Sequence, residues 1–463
     1  MTDAAIVLAA GRGTRMRSER PKVLHELAGR SMLVRVLDTV AGVGFPCPLT
    51  VVGYAADMVQ THMGDRCTYV HQTAMLGTGD AMRVAMDVLS GDVDRVLLVH
   101  GDEPLIPVDA LQTMLDRQRE TGAFVVLLTT HVSDTRGFGR LLRDPEGNPT
   151  ALVQEADLAP DQRHVDEVNL GAYVFDAPWL RDQLRLLEPH APKGEYYLTD
   201  VVRPAAAAHR TSAVTIPGGP EVMGVNDLVQ LEQSAQALYR RTNCDLMEQG
   251  VTIVDSASTF VDDTVTIEPD TVIHPFSIVS GATSIERGCQ IGPHASIFSS
   301  HIGRRCRVLA STLEEAQLGD DVTVGPYAHL RPGAVIGAGA EIGNYAEIKQ
   351  SFVGPGTKVH HFSYLGDAHV GADVNIGAGA VTCNYDGREK HRTIVGDRAF
   401  IGSDTMLRAP VTVGEGASTG AGSVVTHDVA PGALVTGVPA RVVREGPAPS
   451  DQQPSTAITE RET

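Results

Sequence analysis

From about residue 251 onward the chain repeats an aliphatic side chain every six residues, a period that neither an α-helix nor an antiparallel sheet can use. Ile267, Ile273, Val279, Ile285, Ile291 and Ile297 form one run, and Leu318, Val324, Leu330, Ile336, Ile342 and Ile348 a second. Val395, Ile401, Leu407, Val413, Thr419 and Val425 form a third, with Thr419 as its lapse. Such hexads predict a β-helix, a prism in which each hexad makes one flat side and the aliphatic residues stack inside. Glycine often follows the aliphatic position, as at Gly303, Gly319, Gly325, Gly337, Gly343, Gly402 and Gly414, where the chain must turn sharply. The register is expected to slip once or twice, for example between Ile348 and Val353, and a loop to interrupt it at Asn384 to Arg392. The polar, proline-containing residues 446–463 are expected to be disordered.

Before about residue 226 the pattern differs. Short apolar runs at Ala4 to Leu8, Leu49 to Val52, Val96 to Val99 and Phe124 to Leu128 read as buried strands. Amphipathic runs at Met32 to Val40, Gly79 to Leu89 and Val108 to Gln118 read as helices. This alternation predicts a mostly parallel sheet with helices on both faces. The expected fold class is therefore α/β followed by all-β: a Rossmann-like domain over 1–226, a linker helix over 227–250, and a β-helix over 251–445.

A formal net charge of −19 argues against a nucleic-acid or anionic-membrane partner. Six scattered cysteines with no C-x-x-C pair fit neither a zinc site nor a disulfide framework. The amino terminus has an acid where a signal peptide is basic, and no apolar stretch approaches the roughly 18 residues of a membrane span. A cytoplasmic protein with no membrane insertion is expected.

Against that acidic background, Arg12, Arg15, Arg17, Arg20 and Lys22 crowd one glycine-rich turn, at the end of the first strand. A Walker A loop needs lysine and a hydroxyl after its second glycine, and here Thr14-Arg15 follow. A Rossmann fingerprint needs a third glycine, where Met16 stands. A nucleotide loop in which backbone amides and cations surround a triphosphate fits better, although Gly-x-Gly alone is equally a structural turn. At another strand end, HGDEPL offers Asp102 to the Mg²⁺ that accompanies a nucleoside triphosphate, with Glu103 the weaker choice. The turn around Gly77 could read a base or simply cap a helix.

In the prism, residues 18 apart stack about 4.8 Å apart in neighbouring coils. Arg331 and Lys349 have that spacing and sit on one edge, which suggests an anion between them, with a solvated edge as the alternative. Ser403 and Ala421 repeat the spacing, each two places after an in-pointing position, as Ala378 is after Ile376, which could leave a groove of small residues for an extended ligand, although small residues are common in such repeats. His360, His361 and Tyr364 interrupt the pattern nearby, and a neutral imidazole there could deprotonate an amine.

LAAGRGTRM with Pro21-Lys22, GTGDA, GEYYLTD, GVN at Gly224 to Asn226, RPGA at Arg331 to Ala334, and NIGAGAVTCNYDG at Asn375 to Gly387 occur in this order. Together they resemble the bifunctional bacterial family N-acetylglucosamine-1-phosphate uridylyltransferase / glucosamine-1-phosphate N-acetyltransferase. The resemblance implies a pyrophosphorylase domain, a left-handed β-helix and a homotrimer. It implies acetylation of glucosamine 1-phosphate by acetyl-CoA, then attack of N-acetylglucosamine 1-phosphate on UTP. By the same resemblance Arg15 and Lys22 face the phosphates, and Leu8, Ala9, Ala10, Gly11 and Gly101 line the nucleotide site. Gln72, Gly77 and Thr78 read uracil, Asp102 and Asn226 hold Mg²⁺, and Gly139, Glu155 and Asn169 meet the sugar. In the β-helix His361 is the base. Arg331, Lys349, Tyr364 and Asn375 bind the sugar phosphate, and Ala378, Asn384, Tyr385, Ser403 and Ala421 follow acetyl-CoA. Gln154 stands where the family usually has glutamate, His100 where tyrosine often stands, and His360 where a small residue precedes the base. The rival reading is a single-activity sugar nucleotidyltransferase with a purely structural β-helix.

Overall fold

The computed structural model describes residues 2–191, 194–219 and 222–445, so the tail expected to be disordered lies outside the described residues. Two compact units, Met1–Leu238 and Tyr239–Thr463, divide within the helix Leu228–Glu248. No helix among the described residues is long and apolar enough to cross a membrane.

In the first unit a sheet runs in the order Thr211–Ile216, Val125–His131, Glu167–Asp176, Arg95–His100, Asp3–Ala9, Leu49–Val52, Thr68–His71. All neighbours on this path are parallel except Glu167–Asp176, which is antiparallel to both strands beside it. The central strands are continuous apolar runs because helices cover both faces. Val7, Leu97 and Val99 pack towards one layer, and Ile6, Val96 and Leu98 towards the other. The Ser31 hydroxyl caps the helix Met32–Gly42 by accepting from Val34 N at 3.4 Å. Because Asp3–Ala9 and Arg95–His100 are adjacent and parallel, the glycine turn and Asp102 emerge side by side at their carboxyl ends.

The second unit is a parallel β-helix. Its three sides have 12, 10 and 9 strands among the described residues. The predicted hexad residues stack as its core: Ile267 pairs with Ile285, Val279 with Ile297, and Ile273 with Ile291. The step shortens to five residues at Ile297 to Ile302, Val308 to Leu313, Leu313 to Leu318, Ile348 to Val353 and Leu365 to Val370, more often than expected. Each short corner is closed by one residue at positive φ: Ser299, Ala310, Glu315, Gln350 or Asp367. These non-glycine turns are hard to anticipate, since αL is unfavourable for most side chains. Two interior positions are threonine rather than aliphatic. Thr382 Oγ1 accepts from Gly366 N at 2.7 Å and Thr419 Oγ1 from Gly402 N at 2.9 Å, so neither buried hydroxyl is orphaned. The loop at Asn384 to Arg392 stretches one coil, in which Val370 pairs with Val395.

Gly325 shows how little room the corners leave. Its φ is +104°, and a Cβ there would be driven into Leu309 O of the preceding coil. Gly325→Ala is therefore expected to destabilise the β-helix by about 2 kcal/mol or more, read as a lower thermal midpoint in calorimetry.

Candidate functional sites

The first constellation is built at the carboxyl ends of the two central strands. Gly13, at φ +64°, starts the short helix Thr14–Met16, and a Cβ there would meet the Lys22 stem at 2.5 Å. This turn lets Lys22, only 9% exposed, reach inward. The Lys22 ammonium forms an ion pair with Asp102 and donates to Asn226 Oδ1 at 2.9 Å. Arg15 donates to the same oxygen at 2.8 Å. Arg20 turns away to pair with Glu26 at 3.1 Å, while Arg12 lies over the Tyr54 ring at 5.3 Å and still lines the cavity beside Lys22.

Around these groups lies a cavity of about 450 Å³. Leu8, Ala9, Ala10, Gly11, Arg15, Lys22, Gln72, Gly77, Thr78, Asp102 and Asn226 line it, so most of the residues expected at a nucleotide come together. Gly101 supports the wall from behind, donating its N–H to Leu8 O at 2.9 Å. Met75 and Glu195 also line the cavity; Glu195 falls inside the GEYYLTD motif, whereas no spacing rule in the sequence marks Met75.

The GVN segment is tied to the Asp102 turn. Val225 N donates to Asp102 O at 2.9 Å, and Asn226 N to Gln230 Oε1 at 2.7 Å. At Gly224 a Cβ would come within 2.6 Å of Glu103 Oε1, so any larger residue would have to push that buried carboxyl aside. Burial opposes the charge of Asp102, yet the Lys22 ammonium and His100 outweigh it and hold the carboxyl below its ordinary range. Glu103 lacks such a partner, and burial together with Asp102 pushes its carboxyl well up. Burial likewise lowers the pKa of His100.

The residues expected at the sugar lie off this cavity wall. Asn169 N donates to Gly139 O at 3.0 Å, and Asn169 Nδ2 to the Tyr173 hydroxyl at 2.8 Å. Asn169 Oδ1 is left buried without a partner among the described residues, an acceptor awaiting a donor. Glu155 Oε2 accepts from Gly137 N at 2.7 Å. Gln154 instead donates to Thr199 Oγ1 at 3.3 Å and faces a separate cavity of about 570 Å³ with Tyr197.

Asp102 and Asn226 aim hard oxygens at one point that already holds an ammonium. Two such oxygens fit Mg²⁺, which commonly takes one or two protein ligands and completes its shell with water and phosphate.

The second constellation lies on the β-helix. Leu330 pairs with Ile348, and Ile348 with Leu365, which stacks Arg331, Lys349 and Gly366 on the 10-stranded side. Arg331 is held by Glu347 at 2.7 Å. Lys349 faces Lys390 and Arg331, and these like charges lower the pKa of its ammonium. Lys390 comes from the inserted loop, so no repeat spacing could reveal it. Asn384 Nδ2 donates to Asp367 Oδ2 at 2.6 Å, and a Cβ at Gly366 would strike both the Asn384 amide and the Tyr364 hydroxyl. Arg331, Lys349, Tyr364, Asn384 and Lys390 thus belong to one neighbourhood.

His361 stands on the adjoining 12-stranded side, at the end of the strand Lys358–His361 that turns directly into Tyr364–Gly366. Val359, Ile376 and Ile401 stack inside, and Phe400 pairs with Ser418. Two residues beyond each interior position, His361, Ala378, Ser403 and Ala421 consequently form one outward column. Backbone bonds knit it: Asp404 N donates to Ala378 O at 2.7 Å, and Gly422 N to Ser403 O at 2.8 Å. Asn375 lies on the same side as this column, paired with Phe400, and exposed Tyr385 belongs to the inserted loop. Of the two adjacent histidines, His360 is tied to Glu341 at 2.9 Å. The exposed His361 ring makes no hydrogen bond among the described residues, which leaves it available as a base.

Comparison with known proteins agrees with both halves. Residues 5–189 match the MobA-like NTP transferase domain. Residues 315–350 and 392–427 match the bacterial transferase hexapeptide (six repeats). The bifunctional protein GlmU of Heliobacterium modesticaldum is 43% identical over 433 residues, 93% of this chain and 94% of that one. That of Pelobacter propionicus is 45% identical, covering 96% and 97%, and that of Carboxydothermus hydrogenoformans 43%, covering 93% and 96%. With likeness running through both units, the chain belongs to the family of bifunctional GlmU proteins, N-acetylglucosamine-1-phosphate uridylyltransferases that are also glucosamine-1-phosphate N-acetyltransferases.

Proposed function

We propose that the two constellations act in sequence on one amino sugar. In the β-helix, Arg331, Lys349 and Lys390 bind the phosphate of glucosamine 1-phosphate, with Glu347 fixing the guanidinium. Tyr364 and Asn375 hold the sugar. His361 removes a proton from the 2-ammonium group, whose nitrogen then attacks the thioester of acetyl-CoA. The column Ala378, Ser403, Ala421 gives the extended cofactor a trough, with Asn384 and Tyr385 from the loop beside it. A backbone amide near Ala378 stabilises the oxyanion.

In the α/β unit, the phosphate of N-acetylglucosamine 1-phosphate attacks the α-phosphate of UTP and releases pyrophosphate. Arg15 and Lys22 leave their resting partners to meet the phosphates, and Gln72, Gly77 and Thr78 read uracil. Asp102 and Asn226 would hold Mg²⁺, which supplies charge neutralisation at the phosphate oxygens when bound. Gly139 and Asn169 meet the sugar, whose hydroxyls match the unpartnered Asn169 Oδ1. Gln154, facing Thr199, is a further candidate for the contact expected of Glu155.

The protein works in the cytoplasm as a homotrimer. Exposed rings along one corner of the prism, Phe276 stacked on His294 and Tyr327 on Tyr345, provide apolar surface for neighbouring chains. One observation supports the two-site reading: each unit carries its own cluster of cations and carboxylates on its own scaffold. The test is one purified sample given glucosamine 1-phosphate, acetyl-CoA, UTP and Mg²⁺. Free thiol, pyrophosphate and UDP-N-acetylglucosamine should all accumulate. Pyrophosphate from added N-acetylglucosamine 1-phosphate without any thiol release from glucosamine 1-phosphate would reduce the β-helix to a scaffold.

A further inference from the structure

Gln72 follows the strand Thr68–His71, is 5% exposed, and lines the nucleotide cavity. A carboxamide can face a ligand with its oxygen or its nitrogen, and the two choices select opposite hydrogen-bonding edges. Here the choice is fixed by neighbours. Gln72 Nε2 donates to Gly77 O at 3.1 Å and to Asp80 Oδ2 at 2.8 Å. A carbonyl and a carboxylate only accept, so both amide protons are used and a flipped Gln72 would set its oxygen against two acceptors. What remains for a ligand is Oε1, which accepts no hydrogen bond among the described residues.

Asp80 lies in the first turn of the helix Thr78–Val88, where a negative charge is favoured by the helix dipole. Gly77, at φ +93°, is held close beneath the chain, since a Cβ there would come within 2.6 Å of Tyr196 O. The two atoms that pin the amide are thus themselves fixed by the fold.

We infer that Asp80 is a positioning residue that sets base selectivity, locking Gln72 as an acceptor-only reader of bases that present a ring N–H at the centre of their pairing edge. This rests on the reading that Gln72 meets the base. A uracil-type base presents N3–H between two carbonyls and satisfies Oε1. A cytosine-type base presents the N3 lone pair and leaves two acceptors facing each other in a buried site. Methylation at C5 does not alter N3–H, so this device ignores it.

The test compares kcat/KM for UTP and CTP in the full-length protein, and the ratio of the two, taken on one sample, does not depend on the folded fraction. Asp80→Ala frees the amide to turn and should lower the UTP/CTP preference roughly 10- to 100-fold, with the UTP/5-methyl-UTP ratio unmoved. Asp80→Asn, which can accept or donate, should fall between. If turnover of Asp80→Ala is too slow, dissociation constants for the two nucleotides supply the ratio. Gln72→Ala separates the two layers. Collapse of the preference in Gln72→Ala but not in Asp80→Ala overturns the role of Asp80, whereas an unchanged preference in Gln72→Ala overturns the reading of Gln72 itself.

Discussion

His361→Ala will slow thiol release from acetyl-CoA with glucosamine 1-phosphate by roughly 10²- to 10⁴-fold, while pyrophosphate formation from UTP proceeds at the native rate. The size follows from the chemistry: an ammonium has no lone pair with which to attack a thioester, so the proton must first go somewhere. The selectivity follows from the placement. The His361 ring is exposed and holds nothing else in place, so its loss leaves no cavity and no orphaned partner. His360→Ala tests the assignment between neighbours. With its ring spent on Glu341, its removal should change acetyl transfer far less. A colorimetric thiol assay beside a coupled pyrophosphate assay reads both outcomes. Equal loss of both activities in His361→Ala would mean that the variant had damaged the fold, or that one site serves both reactions.

Lys22→Ala reverses the pattern, with uridylyl transfer falling about 10²- to 10³-fold and acetyl transfer retained. Two effects combine. The phosphates lose an ammonium held in a largely buried position. Asp102 also loses the partner that keeps it charged, while Glu103, already pushed towards its neutral form, sits alongside. Lys22→Arg should recover little, because a planar guanidinium fork does not reproduce the compact ammonium held between Asp102 and Asn226 Oδ1. Single-turnover kinetics with saturating UTP would distinguish loss of chemistry from loss of binding.

The prism was legible because its period is unlike any competing structure, and every predicted interior residue from Ile267 to Ile297 is buried. The five-residue corner between Ile348 and Val353 was legible as well, but those closed by Ser299, Ala310, Glu315 and Asp367 were not, because their αL residues carry no signature. At the nucleotide site, motif positions sufficed for the wall of the cavity, since strand ends and glycine turns are local features. The destinations of Arg12 and Arg20 were beyond reach, because Tyr54 and Glu26 are selected by packing rather than spacing. Lys390 illustrates the same limit in the other unit: an inserted loop has no register, so only coordinates bring it beside Lys349. Glu155 and Gln154 differ by one place in sequence yet face Gly137 and Thr199 respectively, a divergence set by the local turn at Glu155–Asp157.

The outward column from His361 to Ala421 has an architectural corollary. Base and trough occupy consecutive rungs of one ladder, so their separation is set by interstrand spacing, about 4.8 Å, rather than by any hinge. Coils on the amino-terminal side of the Arg331 rung carry none of these site residues and lengthen the stem. Whole turns could be gained or lost there, and the tool at the far end would keep its gauge.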